Sequence, residues 1–247
     1  MRPAWRLCAP DDPVLAPAGD LAVARAHVEA AWVSDGDGVG EARRKHILRF
    51  VDDHPDALLR SCVEGHLTGS AMVVDPASRQ VLMLLHSKVR RWLQPGGHAD
   101  GDAALPGVAL REAEEETGLD PAGVVPLALL PRLHLPPSGF LVTPVLAHWA
   151  RPVAVHAVDP AETAAVVRVP VAELTEPANR IRVGHSSGMV GNAFVVADLL
   201  VWGFTGALLS ALLDMGGWAR PWDETRVLDL DSAWSAARSG WREVAEP

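Results

Sequence analysis

The residues best able to do chemistry lie in one stretch, Gly96-Gly97-His98-Ala99-Asp100-Gly101-Asp102 followed by Leu110-Arg111-Glu112-Ala113-Glu114-Glu115-Glu116-Thr117-Gly118-Leu119. At about 100° per residue, a helix here puts Glu112, Glu115 and Glu116 on one face, at i, i+3 and i+4. Three carboxylates so close repel one another unless cations hold them, and hard oxygen ligands suit Mg²⁺ or Mn²⁺. An acidic run taken by itself is more often a solvated helix face, with Arg111 as its neighbour. The glycines ahead of it form a loop whose backbone can come close to a ligand or an ion. The helix that must carry the carboxylates has its ends written in the sequence. Asp102 is placed to cap its N-terminus, Pro106 is tolerated in its first turn, and Gly118 is placed as its C-cap. Leu110, Ala113 and Thr117 lie on an adjacent flank that can pack on a sheet.

The spacing resembles the Nudix box, G-x5-E-x7-R-E-U-x-E-E-x-G-U, where U is a bulky aliphatic residue. Counted from Gly97, the chain matches at Gly97, Arg111, Glu112, Glu115, Glu116, Gly118 and Leu119, with Ala113 a small substitute at the first aliphatic place. The departure is Ala103, where the pattern has its first glutamate; Asp100 and Asp102 are nearby acids out of register. The resemblance implies an α/β fold, a Nudix α/β/α sandwich with a mixed β-sheet, and metal-dependent hydrolysis of a phosphoanhydride in a nucleoside diphosphate linked to another moiety. It implies Glu115 and Glu116 as ligands of Mg²⁺ or Mn²⁺, Glu112 as ligand or general base, and Gly97 offering its carbonyl. Gly96, Gly97 and His98 then face substrate, with His98 either contacting phosphate or only ordering the loop, and Arg111 and Gly118 are structural. Such enzymes commonly bring one more acid from a later loop. Glu162 is the candidate for that acid and for the proton acceptor, with Glu173 second.

Two subgroups are resembled on either side of the box. The upstream block RSCVEGHLTGSAMVVD…WLQPGGHADGD is similar to a bacterial Nudix subgroup with a GGHADGD loop, whose members also lack the first glutamate. Downstream, PRLHLPPSGFLVTPVLAHW, the stretch from VDPAET to GHSSG, and LLVWGFTGALLSALLDMGGWARPWD resemble actinobacterial Nudix enzymes grouped with coenzyme A pyrophosphatases. The upstream motif of those enzymes, L-L-T-x-R-S-x3-R-x3-G-x3-F-P-G-G, is not matched by residues 82–97. Coenzyme A is thus the leading named substrate on half a signature.

Two rival functions need weighing. Gly184-His185-Ser186-Ser187-Gly188 matches the G-x-S-x-G elbow of serine esterases. That elbow needs a helix directly after the serine, whereas Met189-Val190-Gly191-Asn192 reads as loop, and no histidine follows Ser186 to complete the triad order. A Nudix-fold binding module is the other rival, but it would have no need of three metal-binding glutamates. The histidines form no zinc-like cluster. Trp202, Trp218 and Trp222 read as core and closing contacts rather than a base-stacking platform.

Around the box, the chain must supply a globular scaffold. Its 247 residues are 49% hydrophobic and 21% charged, which excludes wholesale disorder. A net charge of −9 argues against a nucleic-acid polymer as partner. A small-molecule nucleotide is the expected partner, a homodimer the assembly to test, and the cytoplasm the expected location. Cys8 and Cys62 make no disulfide framework, and the N-terminus carries no apolar signal core. Residues 18–32 and 40–53 read as helices by the spacing of Leu21, Ala24, Val28 and Ala31 and of Ile47, Leu48 and Val51, with 34–40 as a loop. Strands are expected at 67–74, 80–85, 124–130, 140–148 and 164–169, a short helix at 170–175, and a closing helix at 231–244. Residues 193–213 are long enough to span a bilayer, but Asp198 interrupts them; a buried strand, a turn and a buried helix ending at Gly216-Gly217 account for them. The organisation expected is a helical N-terminal region (1–62), a Nudix domain (63–230) and a tail (231–247).

Overall fold

A computed structural model describes residues 12–30, 39–130, 133–135, 140–186, 188–196 and 199–238. In chain order its elements are α1 (Leu21–Ala30), α2 (Val39–Asp53), β1 (His66–Asp75), β2 (Gln80–His86), β3 (Arg91–Leu93), β4 (Gly96–His98), α3 (Leu105–Thr117), β5 (Val124–Leu129), β6 (Leu133–Leu135), β7 (Phe140–Trp149), β8 (Thr163–Pro170), α4 (Val171–Thr175), β9 (Arg180–Gly184), β10 (Val190–Val196), β11 (Leu199–Val201), α5 (Gly203–Met215), β12 (Val227–Asp229) and α6 (Leu230–Arg238). The chain divides into two compact units, Met1–Pro76 with Gln94–Asp159, and Ala77–Leu93 with Pro160–Pro247. The mixed α/β class expected from the sequence is the one adopted, with parallel and antiparallel strand pairs in both units.

In the first unit β1 is buried along its whole length, Thr68 and Ser70 included, as in a strand covered on both faces. It pairs in parallel with β7, from His66↔Phe140 to Val74↔His148, and antiparallel with β4, through Thr68↔His98, Gly69↔Gly97 and Ser70↔Gly96. β7 in turn carries β5 and β6 as antiparallel partners. Helix α3 lies against β1, and Gly69 sets how closely. A Cβ on Gly69 would come within 2.7 Å of the Leu105 carbonyl and 2.9 Å of the Ala109 nitrogen, so any larger residue would push the helix off the sheet. The apolar stripes of α1 and α2 place Ala24, Val28, Ile47 and Val51 in one buried cluster with Ala57, Leu58, Leu67, Ala99, Ala103, Leu105 and Leu141. The N-terminal helices therefore pack onto the start of α3 and the turn that precedes it.

In the second unit β2 pairs antiparallel with β3 and β8. A further sheet runs β11-β10-β9-β12, antiparallel except for the β9–β12 pair. Ile181, Val183, Ala193, Val195 and Leu200 on that sheet pack against Ala233, Ala236 and Ala237 of α6. The apolar stretch at 193–213 forms part of β10, then β11 and most of α5. The extra strand β11 was not foreseen, and Asp198 lies outside the described residues. Among the described residues, no helix is long and apolar enough to cross a membrane.

Several elements differ from expectation. Gly96–His98 is a short strand rather than loop, because pairing with β1 satisfies its backbone groups. Of the loop expected at 189–192, Val190–Asn192 is strand instead: β10 begins at Val190 and pairs with β9. Helix α3 starts at Leu105 with Ala104 as its N-cap residue and no capping side chain; Asp102 stands two residues too early and is occupied otherwise, as described below. Of the loop assigned to 34–40, Val39 and Gly40 open α2 and the rest lies outside the described residues, as do 31–32 and 239–244 of the expected helices.

Candidate active site

Helix α3 buries Leu110, Ala113 and Thr117, so the opposite positions must carry its glutamates outward. Its end is the expected one: Gly118 adopts the left-handed conformation (φ 67°), and its N–H donates to the Glu114 carbonyl. A Cβ there would come within 3.0 Å of His156 Cε1, which is a second reason for glycine. The His156 N–H donates to the Thr117 carbonyl at 3.0 Å and closes the chain over the helix end.

Strand β4 runs beside the glutamate face and makes a separate contact with two of the three acids. The Gly96 N–H donates to Glu116 Oε2 at 2.9 Å. The Glu112 carboxylate lies directly on Gly97, where a Cβ would sit 2.0 Å from Oε2 and 2.4 Å from Cδ. Gly97 therefore serves by lacking a side chain: the carboxylate occupies the volume one would fill. The side chain of Glu112 is only 16% exposed, against 61% for Glu115. Burial, and then the charge of Glu115, raise the pKa of Glu112 above the ordinary carboxylate value, and Arg111 opposes that rise only in part.

Arg111 stands among three carboxylates. Its guanidinium lies 3.3 Å from Asp102, 3.5 Å from Glu112 and 3.7 Å from Glu115. Asp102 is itself tied into the backbone: its Oδ1 accepts the N–H groups of Ala104 (2.9 Å) and Ala18 (3.1 Å).

His98, at the end of β4, is bonded to a residue that sequence spacing could not single out. Its Nδ1 lies 2.6 Å from Nε2 of His66, the first residue of β1. Phe140 meets both rings, edge-on to His98. Burial lowers the pKa of both imidazoles, reinforced by the positive charge of Arg60, so each favours its neutral form. Arg60 holds Asp100 through two bonds of 2.7 and 2.6 Å and fixes the left-handed turn at Asp100 (φ 48°) and Gly101 (φ 89°). The only sequence sign of His66 was a histidine opening an apolar strand, and the separation of 32 residues hides its pairing with His98.

Within the first unit the structure thus brings Gly96 to Glu116, Gly97 to Glu112, and Arg111 to Glu112 and Glu115, while His98 turns to His66 and Gly118 closes the helix end. Glu162 belongs to the second unit, exposed, one residue before β8; its carbonyl accepts the Ser87 N–H at 2.8 Å. Glu173, in α4, accepts a hydrogen bond from Asn179 Nδ2 through its carboxylate (3.2 Å) and its carbonyl (3.0 Å), a local structural task. Ser186 sits exposed in a turn ahead of β10. A strand therefore stands where an esterase elbow needs its helix.

Hard carboxylate oxygens are donors that fit Mg²⁺ or Mn²⁺. The raised pKa of Glu112 agrees, because a carboxylate short of counter-charge is one that a cation would relieve. Among the described residues, however, no three acidic, histidine or cysteine side chains already converge on one point. The glutamates are held by Gly96, Gly97 and Arg111 instead.

Residues 66–186 match the NUDIX domain family. No curated protein matches the chain. Solved structures similar to it include an Ap4A hydrolase of C. elegans, at 18% identity over 43% of this chain and 82% of that one, with a TM-score of 0.36. The NUDIX domain of Shewanella oneidensis NrtR, complexed with ADP ribose, is similar at 21% identity over 44% and 74%, TM-score 0.37. A NUDIX hydrolase from Nitrosomonas europaea is similar at 12% identity over 66% and 78%, TM-score 0.41.

Proposed function

We infer that this chain, which carries a NUDIX domain over residues 66–186, is an enzyme, a Nudix hydrolase acting on phosphoanhydride bonds. Its substrate class is a nucleoside diphosphate linked to another moiety, and coenzyme A is the first named compound to test. The observation that carries the reading is Glu112. It is a nearly buried carboxylate of raised pKa, seated on Gly97 and flanked on its helix by Glu115 and Glu116. A carboxylate so placed is costly to the fold unless its charge is used.

Glu115, Glu116, Glu112 and the Gly97 carbonyl are the groups that would hold Mg²⁺ or Mn²⁺. When bound, such an ion supplies neutralisation of the diphosphate charge and a more acidic water. The protein's own part is then positional. Strand β4 holds Gly96 and Gly97 against the glutamate face, and His98 presents a neutral ring at the strand end, kept in one orientation by His66. Glu112, seated on Gly97, is the candidate to take the proton from water where it does not itself hold the ion.

The test is a panel of dinucleotides, nucleotide sugars and coenzyme A, incubated with Mg²⁺ or Mn²⁺ and scored by the mass of released mononucleotides. Hydrolysis of at least one compound that stops with chelator and returns with metal supports the reading. Equal activity in chelator refutes the metal dependence, and no hydrolysis across the panel refutes the substrate class.

A further inference from the structure

We propose that Asp102 is the acid that positions Arg111 in this chain, taking the place left by Ala103, and that the segment around Ala18 is built into the site as part of that arrangement. The proposal rests on the hydrolase reading and goes beyond it, because the box pattern puts its acid one residue later and includes nothing from the N-terminal region.

Three observations carry it. First, Ala103 is fully buried within the apolar cluster that α1 and α2 complete, and its N–H donates to the Ala18 carbonyl at 2.5 Å. A glutamate there would have to bury its charge among Ala24, Val28 and Ile47. Second, Asp102 uses both carboxylate oxygens: Oδ1 accepts from Ala104 and Ala18, and Oδ2 faces Arg111. Ala18 is thereby held through its N–H and its carbonyl at once. Nearby, Gly107 leaves no room for a Cβ, which would lie 2.5 Å from the Leu15 carbonyl. The N-terminal segment thus lies against the first turn of α3. Third, Arg111 is shared among Asp102, Glu112 and Glu115. A guanidinium and a divalent cation compete for the same carboxylates. Asp102, at 3.3 Å against 3.5 and 3.7 Å for Glu112 and Glu115, competes with them for the guanidinium, and the more firmly it holds Arg111 the more of those two carboxylates is left for a cation.

Asp102 is a positioning residue, and its two oxygens can be separated experimentally. Asp102→Asn keeps an oxygen for Ala18 and Ala104 but removes the charge facing Arg111; Asp102→Ala removes both. Binding of Mn²⁺ to the metal-free proteins, followed by the electron paramagnetic resonance of free Mn²⁺, reads the effect without turnover. Asp102→Asn is expected to melt within about 2 °C of wild type, while its Mn²⁺ dissociation constant rises about 10–100-fold, the range for a group that orients metal ligands. Asp102→Ala is expected to lose the same affinity and to melt lower as well. Asp102→Asn with Ala103→Glu is expected not to regain affinity and to melt below Asp102→Asn alone. Mn²⁺ affinity of Asp102→Asn within threefold of wild type overturns the proposal, as does recovery in the double variant. Wild-type protein that binds Mn²⁺ but hydrolyses nothing on the panel refutes the hydrolase reading alone. Wild-type protein that binds no Mn²⁺ overturns both.

Discussion

Two adjacent glycines make opposite predictions, and together they test whether strand β4 positions the glutamates. Gly97→Ala places a methyl group 2.0 Å from Glu112 Oε2 and 2.4 Å from Cδ, where real contacts need at least 3.0 Å. The obstructing atoms are the tip of a flexible side chain, so the carboxylate must move by about 1 Å while the backbone need not move at all. A displacement of that size at a reacting centre costs about 10²-fold in rate. The fold should hardly notice. Gly97 has no positive φ, and an alanine stiffens the unfolded chain by about 0.4–1 kcal/mol, which offsets part of the displacement. Gly96→Ala is the converse: its methyl group would lie 2.6 Å from the Gly69 carbonyl and within 2.7 Å of Ser70 Cα and Cβ. Those atoms belong to β1 and cannot swing away, so the cost falls on stability at about 1–3 kcal/mol, or roughly 2–12 °C in melting temperature at about 2–4 °C per kcal/mol. The assay is turnover at saturating Mg²⁺ on the best substrate of the panel, beside thermal melts of the metal-free proteins. Gly97→Ala within threefold of wild-type turnover refutes the idea that Glu112 must rest where it does. A Gly97→Ala melt as low as that of Gly96→Ala refutes the claim that only the side chain yields.

Glu116→Gln retains an acceptor for the Gly96 N–H but removes a negative charge from the face; turnover should fall about 10²–10³-fold, the equivalent of ~3–4 kcal/mol, with the melting temperature unchanged or slightly raised as repulsion is relieved. Turnover within threefold of wild type would make the face mere solvated surface. Ser186→Ala should leave hydrolysis near wild type, since Ser186 occupies a turn before a strand; a thousandfold loss would revive the serine nucleophile. Gly69→Val should unfold or severely destabilise the protein, because its side chain would meet the Leu105 carbonyl and the Ala109 nitrogen of α3; a melt within 3 °C of wild type would show that the helix does not depend on that close approach.

What could be read in advance was whatever depends on neighbours along the chain. The buried flank of α3 at Leu110, Ala113 and Thr117, the left-handed cap at Gly118 and the shared face of Glu112, Glu115 and Glu116 all follow from a helical repeat and one glycine. The main strands were legible for a similar reason: β1, β5, β7 and β8 are apolar runs bounded by turn residues. Of the strands that escaped, β3, β6, β11 and β12 are three residues each, too short for any period to show, and β9 has only Ile181 and Val183 to carry a period of two. Gly96–His98 escaped because two glycines signal a loop unless a partner strand is known, and that partner, β1, lies almost thirty residues earlier.

The site's supporting groups were hidden by distance along the chain. Asp102 looked like a helix cap because it stands just before a helix, but the N-cap residue is Ala104 and no side chain caps it. Its partners are Ala104 beside it, Arg111 nine residues on, and Ala18, 84 residues away, a contact that only the folded N-terminal segment supplies. His98 looked like a lone polar residue after a glycine pair, yet its orientation is set by His66 and Phe140 on two neighbouring strands. In both cases the reactive type was visible and the group that aims it was not. Local sequence can nominate the carboxylates because helix geometry alone puts them on one face. Only tertiary pairing shows what surrounds them, and in this chain one aspartate is bonded at once to Arg111 and to the N-terminal segment.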